Sequence, residues 1–397
     1  MSRFTHFRFP AAADADGRVE ATIEIEAAPE TVFFETRDAV LQACNEAFAA
    51  LTVLPSMRVG NDIQIEGPIS DAFCSNFDVI CDIYRDWLPA LHRIHLVGGE
   101  RLPKKSTQQR GVGLFFSGGV DSSYTLLKHK DEITHLILLG GFERSSLQAG
   151  RFESAANSVR SVARELGKTA IVVQTSLRTF LASYRLPWGP VAFGAGQAAV
   201  AHLLSAHLAR VYMAGGHTYA HLLPAGNHPL LDPRWGTETL QFLHDGLEAD
   251  RLGKVRRIAQ DERALAWLRV CGHPPAGALN CGRCEKCLRT MINLHVVGAL
   301  ERCTTLPHEF DLRSISQLEV VNINHQVYFE QNIRALQGSA ADRRIARALQ
   351  RAIHASGRRR AIRRTAQAVL PGPYRFLRRM VRGGETAQKE GEAFGRW

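Results

Sequence analysis

Hydrophobic and polar residues follow one pattern up to about residue 98 and another from residue 111 onward. In the first stretch, short alternating runs typical of half-buried strands stand beside apolar residues at helical spacing. Strands are predicted at residues 19–25 and 61–66 and helices at residues 35–51 and 73–87, and residues 91–97 are expected to close the unit. This pattern predicts a small α+β region.

From residue 111, continuous apolar runs alternate with longer helical patterns. The runs predict buried parallel strands, and the segments between them predict crossover helices. The predicted strands are residues 112–116, 135–139, 170–173 and 211–214, and the predicted helices are residues 122–129, 147–166, 191–209, 285–300 and 325–336. We therefore expect an α/β fold with a doubly wound, mainly parallel sheet.

Polar residues with glycine and proline separate the two patterns, and arginine dominates the end of the chain. We predict an N-terminal α+β domain at residues 1–98 and a linker at residues 99–110. The main α/β domain is predicted at residues 111–340 and includes a cysteine-rich element at residues 271–287. An arginine-rich tail is predicted at residues 341–397.

The positive charge is concentrated in that tail. The 397 residues carry a formal net charge of +10, from 49 Lys and Arg against 39 Asp and Glu. Thirteen arginines and no acidic residue lie within residues 343–382, whereas residues 1–342 carry 34 basic and 36 acidic side chains. Ile345, Leu349 and Ile353 share one helical face, which predicts a basic amphipathic helix. Nucleic acid, an anionic membrane surface or an acidic protein are the predicted partners, and a solvated extension is the alternative.

The composition, with 45% hydrophobic and 22% charged residues, argues against wholesale disorder. The first residues lack the apolar core of a signal peptide, and eight cysteines without such a signal indicate reduced thiols in the cytoplasm. The longest uncharged run, residues 186–209, contains His202 and His207, which are costly to place in lipid. It predicts a buried helix packed on the sheet.

A phosphate-binding loop is predicted between the first α/β strand and its helix. Residues 111–128 read GVGLFFSGGVDSSYTLLK, so an apolar strand runs through Ser-Gly-Gly-Val-Asp-Ser directly into a helix. The glycines let successive N–H groups face one concavity, and the helix adds the positive end of its dipole. The loop is neither a Walker A loop nor a G-x-G-x-x-G dinucleotide loop, and the structural alternative is a plain Ser/Gly turn.

This loop resembles the SGGxDS pyrophosphate loop of the ATP pyrophosphatase (PP-loop) superfamily. The resemblance implies that the loop holds the departing pyrophosphate of ATP while a substrate oxygen attacks the α-phosphorus to form an adenylate. It implies ATP and Mg²⁺ as cofactors and places Asp121 near the Mg²⁺–phosphate region. On this basis Ser117, Asp121 and Ser122 are the candidate catalytic residues.

Ligands of such sheets bind at the carboxyl ends of the strands, near the point where the strand order reverses. This rule adds the residues that follow the second and fourth predicted strands, for which plain strand-end turns are the alternative. The candidate ATP-binding positions are Ser117, Gly118, Gly119, Val120, Asp121, Ser122, Leu139, Gly140, Gly141, Phe142, Gly215 and Gly216.

Four cysteines form a second motif with the spacing C-x₉-C-x₂-C-x₂-C. They are Cys271, Cys281, Cys284 and Cys287. Four thiolates complete the tetrahedral shell of Zn²⁺ and leave no open position, which predicts a structural site. An iron–sulfur cluster is the alternative. His273 and His295 are predicted to be polar neighbours. The cysteines without ligand spacing are Cys44, Cys74, Cys81 and Cys303.

The loop and the cysteines together are similar to the 7-cyano-7-deazaguanine synthase (QueC-like) branch of the superfamily. The resemblance covers residues 112–300, about half of the chain. It implies a C–N ligase that uses ATP to adenylate a carboxylate or amide oxygen of a small-molecule acid, which ammonia or an amine then attacks. It also implies zinc at the four cysteines. This chain departs from the branch because a long segment, residues 1–110, precedes the strand that leads into the loop.

The segment at residues 215–239 stands where the branch would recognise its deazapurine. Its histidines and charged residues are His217, His221, His228, Asp232, Arg234 and Glu238. Because loops at strand ends carry function, we predict that Arg234 positions a substrate carboxylate, or that Asp232 or Glu238 coordinates Mg²⁺. A plain surface loop is the alternative.

The sequence leaves two other functions open. One is a tRNA-modifying PP-loop enzyme, for example one that thiolates a base; the basic tail favours it, but no catalytic cysteine pair is evident. The other is a non-catalytic nucleotide-binding module recruited by its tail. The sequence also leaves an oligomer open.

Overall fold

The computed structural model describes residues 4–369 apart from residues 11, 27, 104–109, 141–145 and 322. The chain divides into two compact units, Met1–Asp250 and Arg251–Trp397. Half of the predicted linker, at residues 104–109, and the end of the predicted tail, at residues 370–397, therefore lie outside the described residues.

The first unit contains one mixed, mostly parallel sheet of ten strands. The strands are β1 (Phe4–Arg8), β2 (Arg18–Glu24), β3 (Glu30–Glu35), β4 (Asp62–Ser70), β5 (Leu96–Leu102), β6 (Gly111–Phe115), β7 (His135–Gly140), β8 (Thr169–Thr175), β9 (Leu208–Ala214) and β10 (Gln241–Asp245). Their order across the sheet is β10-β9-β6-β7-β8-β3-β2-β1-β4-β5. The prediction of an α/β fold is confirmed.

Strand order reverses at β6. The chain builds outward from β6 through β7 and β8, and then returns to the other side of β6 to form β9 and β10. All four ladders among these five strands are parallel. Their centres are buried, as expected for parallel strands covered on both faces, which explains their continuous apolar runs.

The N-terminal strands extend the same sheet. β3 pairs antiparallel with β8, with Phe34 opposite Thr175. Within β2 the side chains of Val19, Ala21 and Ile23 are buried and those of the residues between them are exposed, which confirms the predicted alternating strand. The predicted boundary between an N-terminal region and the α/β region thus falls inside one continuous sheet.

Six helices accompany this sheet in sequence. They are α1 (Asn45–Val59), α2 (Asp71–Trp87), α3 (Val120–Lys128), α4 (Ser146–Glu165), α5 (Leu177–Ser183) and α6 (Phe193–Leu203). The prediction of a buried helix in the long uncharged run is confirmed, since α6 is buried from Gly194 to Leu203. A π-helical turn, Trp188–Ala192, leads into it.

The predicted helix at residues 35–51 is wrong in its first part. Residues 30–35 form β3, because Thr31, Val32 and Phe34 favour the extended ladder with β2 and β8. The helix, α1, begins only at Asn45 and continues to Val59. It is buried on all sides along most of its length, so it lacks the polar stripe from which a helical period is recognised.

The second unit is helical where it is described. Its helices are α7 (Arg251–Ile258), α8 (Glu262–Trp267), α9 (Glu285–Val296), α10 (Leu312–Ser316), α11 (Ile323–Ala335) and α12 (Ala340–Val369). The cysteine-rich residues lie between α8 and the first turn of α9, which contains Cys287. Among all helices in the described part of the chain, none has the length and hydrophobicity needed to cross a membrane.

Candidate functional site

The predicted phosphate loop lies at the carboxyl end of β6, where the strand order reverses. Gly118 adopts a φ of 74°, in the left-handed region that favours glycine. The Ser122 hydroxyl closes the loop, since it accepts from Ser117 N at 3.4 Å and donates to Gly119 O at 3.3 Å. The first turn of α3, which includes Asp121, presents the N–H groups that a helix leaves outside its own hydrogen-bond ladder. The arrangement suits an anion.

The other predicted nucleotide positions lie at the same edge of the sheet. Leu139 and Gly140 end β7, and Gly215 and Gly216 follow β9. Because β7, β6 and β9 are adjacent and parallel, their carboxyl ends meet at one edge. Gly141 and Phe142 lie outside the described residues.

Two of these glycines are also explained by packing. A Cβ atom at Gly140 would lie 2.1 Å from the ring of Phe152, and a Cβ atom at Gly215 would lie 2.4 Å from Nε2 of His244. Neither position has room for a larger side chain. Packing therefore explains why these two positions are glycine. Their role in letting a ligand approach the backbone stays a prediction.

The helix behind the loop is held by a buried carboxylate, Asp245, at the end of β10. This side chain accepts from Thr125 Oγ1 at 2.8 Å and from Lys128 Nζ at 2.7 Å, and it contacts His129 Nε2 at 3.0 Å. Burial alone would raise the pKa of Asp245, but these hydrogen bonds outweigh it and lower the pKa. Asp245 therefore stays ionised and ties α3 to the sheet.

Glu248 adds a more exposed second attachment. It accepts from Tyr124 OH at 2.7 Å and from Lys128 Nζ at 2.6 Å. Burial, together with the hydrogen bond to Glu248, raises the pKa of Tyr124 to about 12. Two carboxylates, those of Asp245 and Glu248, thus bind side chains on one side of α3.

On the neighbouring residue of β10, His244 pairs with Asp232. Its Nδ1 lies 2.6 Å from Asp232 Oδ2, and both side chains are almost completely buried. The other carboxylate oxygen of Asp232 accepts from His228 N at 3.2 Å. Burial raises the pKa of Asp232, and the bond to His244 offsets part of that rise. Both oxygens are engaged within the protein, which speaks against the predicted Mg²⁺ role of Asp232.

His228 is held as a neutral imidazole beside this pair. Its Nδ1 accepts from Leu230 N at 3.1 Å, and its ring packs edge-on against Trp87 at 4.8 Å. Burial, with the neighbouring His244 and His217, lowers the pKa of His228 to about 4. His217 and His228 therefore join one histidine-rich cluster next to the strand ends, as part of the predicted polar segment.

Two other residues of that segment hold α2 instead of a ligand. Glu238 accepts from Ser70 Oγ and from Ala72 N, both at 2.8 Å, at the amino end of the helix. Arg234 donates to Asn76 Oδ1 at 3.0 Å. The structure thus gives both side chains a contact within the protein, and their roles toward Mg²⁺ and a carboxylate stay predictions. His221 makes a local contact with Thr218 at 3.2 Å.

The hydrophobic pattern did not lead us to predict β10, and His244 and Asp245 were missed with it. The strand has only five residues, QFLHD, after a long polar segment, and its burial does not alternate regularly. Its two adjacent apolar residues, Phe242 and Leu243, are too short a run to predict a strand. Nothing in that pattern indicates that Asp245 would meet Thr125, a helix residue 120 positions earlier in the chain.

The four predicted metal ligands come together in the second unit. The sulfur atoms of Cys271, Cys281, Cys284 and Cys287 all lie within 4.8 Å of one another. The shortest separations are 3.4 Å between Cys284 and Cys287 and 3.8 Å between Cys281 and Cys287. The hydrogen bond with Cys287 lowers the pKa of Cys284 to about 5, which favours its thiolate.

These separations fit a single tetrahedral ion. With Zn–S bonds of about 2.3 Å, a tetrahedron places its sulfur atoms about 3.8 Å apart. A four-iron cluster attaches each cysteine to a different iron and so holds the sulfur atoms farther apart than one shared ion does. The cysteine cluster is therefore consistent with a zinc site.

Backbone contacts prepare the cluster for a metal. Gly282 adopts a φ of 68°, and the Sγ atom of Cys281 accepts from Cys284 N at 3.3 Å. Pro307 packs so closely that a Cβ atom at Gly282 would lie 2.5 Å from its ring. This tight turn brings the sulfur atoms of Cys281 and Cys284 to the same side of the loop.

A buried asparagine that was not among the predicted site residues joins the distant cysteine to the turn. Asn280 Oδ1 accepts from Val270 N at 2.8 Å and Cys271 N at 3.1 Å. Its Nδ2 donates to Leu268 O at 2.8 Å and Thr305 O at 3.1 Å. Both the oxygen and the nitrogen of the Asn280 side chain are therefore used in hydrogen bonds that close the loop between Cys271 and Cys281.

The remaining histidines and cysteines stay outside the ligand set. His295 pairs with Asp342 at 2.8 Å. The Cys303 thiol faces Leu265 O at 3.6 Å. Burial raises the pKa of Cys74, and it raises the pKa of Cys81 to about 12. These thiols behave as structural groups.

Comparison with known proteins assigns this chain to no family. Searches of protein-family models, of curated proteins and of solved structures found no match. The function is therefore inferred from the loop, the strand order and the cysteine geometry.

Proposed function

We propose that this protein binds ATP with Mg²⁺ at the carboxyl edge of β6, β7 and β9 and releases pyrophosphate as it adenylates a carboxylate or amide oxygen. A nitrogen nucleophile then forms a C–N bond and AMP leaves, as in a 7-cyano-7-deazaguanine synthase-like ligase. The observation that carries the proposal is the position of the Ser-Gly-Gly-Val-Asp-Ser loop at the reversal of strand order. Sheets of this kind bind nucleotides there.

The local geometry supports phosphate binding. The left-handed Gly118 turns the backbone toward the amino end of α3, and the exposed Ser117 lies beside that end. Asp121 lies in the first turn, where its carboxylate would help to hold a Mg²⁺ ion that neutralises phosphate charge. Catalysis in this proposal consists of positioning and of neutralising phosphate charge.

The cysteine cluster is assigned a structural zinc ion. Four thiolates leave no coordination position for a substrate, so the ion would stabilise the second unit instead of acting in catalysis. Asn280 and the Gly282 turn support such an ion by fixing the loop that carries the ligands.

Thiolation of RNA is less well supported. Such chemistry needs a reactive thiol, and the four cysteines outside the cluster are buried or half-buried. The raised pKa of Cys81 keeps its thiol protonated near neutral pH. The proposed C–N ligation needs no cysteine at the reacting centre.

The proposal is tested by measuring AMP and pyrophosphate after incubation with ATP, Mg²⁺, ammonia and a panel of small carboxylic acids and amides. We expect both products in equal amounts with an accepted acid. Gly118→Ala should reduce ATP affinity, measured by calorimetry, at least about tenfold, because a side chain at a φ of 74° strains the loop.

Gly167→Ala is the matched control. Gly167 also has a positive φ, of 63°, but nothing lies within 4 Å of its Cβ position, and it follows α4. Both variants carry a similar backbone strain of about 1 kcal/mol. Equal ATP affinity in the two variants would contradict the proposed loop. ATP binding without AMP formation for every acid would instead indicate a non-catalytic nucleotide-binding module.

A further inference from the structure

The last described helix, α12, has one face packed within the second unit. Its inward-facing side chains are Ile345, Ala348, Leu349, Ala352 and Ser356, all buried. This face contacts α10 and α11. The Ser356 hydroxyl accepts from Val320 N at 3.0 Å, which fixes the rotation of the helix. The predicted amphipathic helix is confirmed, and its apolar side is already covered.

The opposite face carries exposed arginines. They are Arg343, Arg344, Arg347, Arg351 and Arg358. At 3.6 residues per turn and 1.5 Å per residue, these five side chains lie within an arc of about 100° and extend about 22 Å along the helix. No acidic residue occurs between the first and the last of them. We call this surface the arginine face.

The arginine face has no counter-charge among the side chains that the structure describes, where none of its five members forms an ion pair. The nearest acidic residue in sequence, Asp342, is engaged with His295 at 2.8 Å and with Ser339 Oγ at 2.9 Å. Arginines four residues apart repel one another along a helix. A bound polyanion would remove that repulsion.

We propose that the arginine face of α12 binds the phosphate backbone of a nucleic acid. The guanidinium group presents a planar set of donors that matches two oxygens of one phosphate, and the face contains arginine and no lysine. A nucleic acid supplies evenly repeated negative charge along the whole length of the row. The proposal does not depend on the adenylation chemistry.

The covered apolar face decides against a membrane surface. An amphipathic helix binds a bilayer by burying its apolar side among the lipids. Here Ile345 and Leu349 are 2% and 0% exposed and Ile353 is half-buried, so most of the apolar face is already covered. Only the charged side of the helix faces outward.

The test measures binding of the full chain to fluorescein-labelled duplex DNA and single-stranded RNA of about 20 units, long enough to span the row. Fluorescence anisotropy is recorded at several salt concentrations. Five phosphate contacts predict a slope of log affinity against log salt of about −4.5 for duplex DNA, and about −3.5 for a single strand.

The decisive variant is Arg343→Gln/Arg347→Gln/Arg351→Gln, since glutamine preserves the helix while it removes charge. We expect the magnitude of the slope to fall by about 2.7 for duplex DNA and the affinity to fall at least about tenfold. The control removes three exposed arginines elsewhere, Arg37→Gln/Arg256→Gln/Arg313→Gln, and should change affinity less than about twofold. Thermal unfolding and circular dichroism verify that both variants fold.

A reduced slope in the decisive variant, with either the RNA or the DNA, would support the proposal and identify the polymer that the face accepts. An unchanged slope with both would overturn it. Tighter binding to polyglutamate, or to vesicles rich in phosphatidylserine, than to either nucleic acid would also overturn it, in favour of an acidic protein or a membrane.

Discussion

The two candidate sites of this protein are built in opposite ways. The cysteine cluster draws all its ligands from residues 271–287, and one tight turn brings three of the four together. The candidate phosphate site draws on β6, β7, β9 and β10, which are spread along the chain between Gly111 and Asp245. Its anchor, Asp245, reaches back to Thr125 on α3.

The difference shows what each site depends on. A site made from one short segment needs its metal to hold the segment, because the free thiolates repel one another. A site assembled from several strands needs the sheet and its buried contacts, which exist whether or not ATP is bound. Loss of one cysteine ligand should therefore unfold the second unit. Loss of Asp245 should instead lower the unfolding free energy of the first unit by a smaller amount.

The largest expected effect comes from the cysteine cluster. In Cys281→Ser the tetrahedral set is incomplete, and structural zinc contributes about 10–16 kcal/mol in small zinc domains. We expect bound zinc, measured by mass spectrometry of the metal, to fall from about one ion per chain to almost none. The helical signal of the second unit should fall with it.

Cys303→Ser is the matched control, because Cys303 is buried nearby in sequence but faces Leu265 O instead of the cluster. It should keep its zinc. Full zinc occupancy in Cys281→Ser, or iron in place of zinc in the unaltered protein, would contradict the assignment.

The anchor of the phosphate loop should give a smaller loss. In Asp245→Asn the charge of Lys128 loses its buried partner, and His129 loses its contact with a carboxylate. We expect the free energy of unfolding to fall by about 2–3 kcal/mol, less than for a fully buried pair because Lys128 is partly exposed. ATP affinity should fall as well, since α3 carries the loop.

The more exposed carboxylate provides the comparison for this anchor. Glu248→Gln removes a partner of the same lysine, but 43% of the Glu248 side chain is exposed. The expected loss is below about 1 kcal/mol by urea unfolding. Equal losses of unfolding free energy in Asp245→Asn and Glu248→Gln would mean that the burial of Asp245 does not strengthen its contacts.

The same anchor should make stability depend on pH. The folded protein lowers the pKa of Asp245, so the unfolded chain binds its proton at a higher pH than the folded chain does. The stabilisation is complete above the unfolded pKa of about 3.9 and is lost as the pH falls through the lower folded value. The stability difference between the unaltered protein and Asp245→Asn should therefore shrink below about pH 4. A constant difference from pH 7 to pH 2 would show that Asp245 is not the titrating group.

The smallest expected effect tests whether Glu238 caps a helix or binds a metal ion. Glu238→Gln weakens the cap at the amino end of α2, where a negative charge is favourable. We expect a loss of about 0.5–1 kcal/mol in unfolding free energy and an unchanged Mg²⁺ requirement for ATP binding. A shift in that requirement would restore the predicted Mg²⁺ role of Glu238.

Much of the fold was predictable because its signals are local. The apolar runs at β6 to β9 and the spacing of Phe73, Phe77 and Ile80 on α2 each lie within one element. The signals of the misassigned elements are weaker. β3 alternates buried and more exposed residues over only six positions, and α1 is buried on almost every side, so it shows no polar stripe.

The sequence by itself determined which chemical groups lie close together at both candidate sites. The loop residues and the four cysteines are neighbours in the chain, so the positions they reach are limited by the few bonds between them. The spacing of the four thiols within residues 271–287 lets them lie within 4.8 Å of one another, as a tetrahedral metal site requires.

Only the tertiary structure decided which groups surround those sites. It paired β3 with β8 and placed Asp245 in contact with α3. It also placed Glu238 against the amino end of α2 and packed the apolar face of α12 against other helices. These contacts join residues far apart in the chain, and a hydrophobic period tells which face of an element is buried but not which element covers it. The partner is chosen by strand order and packing, which belong to the whole molecule.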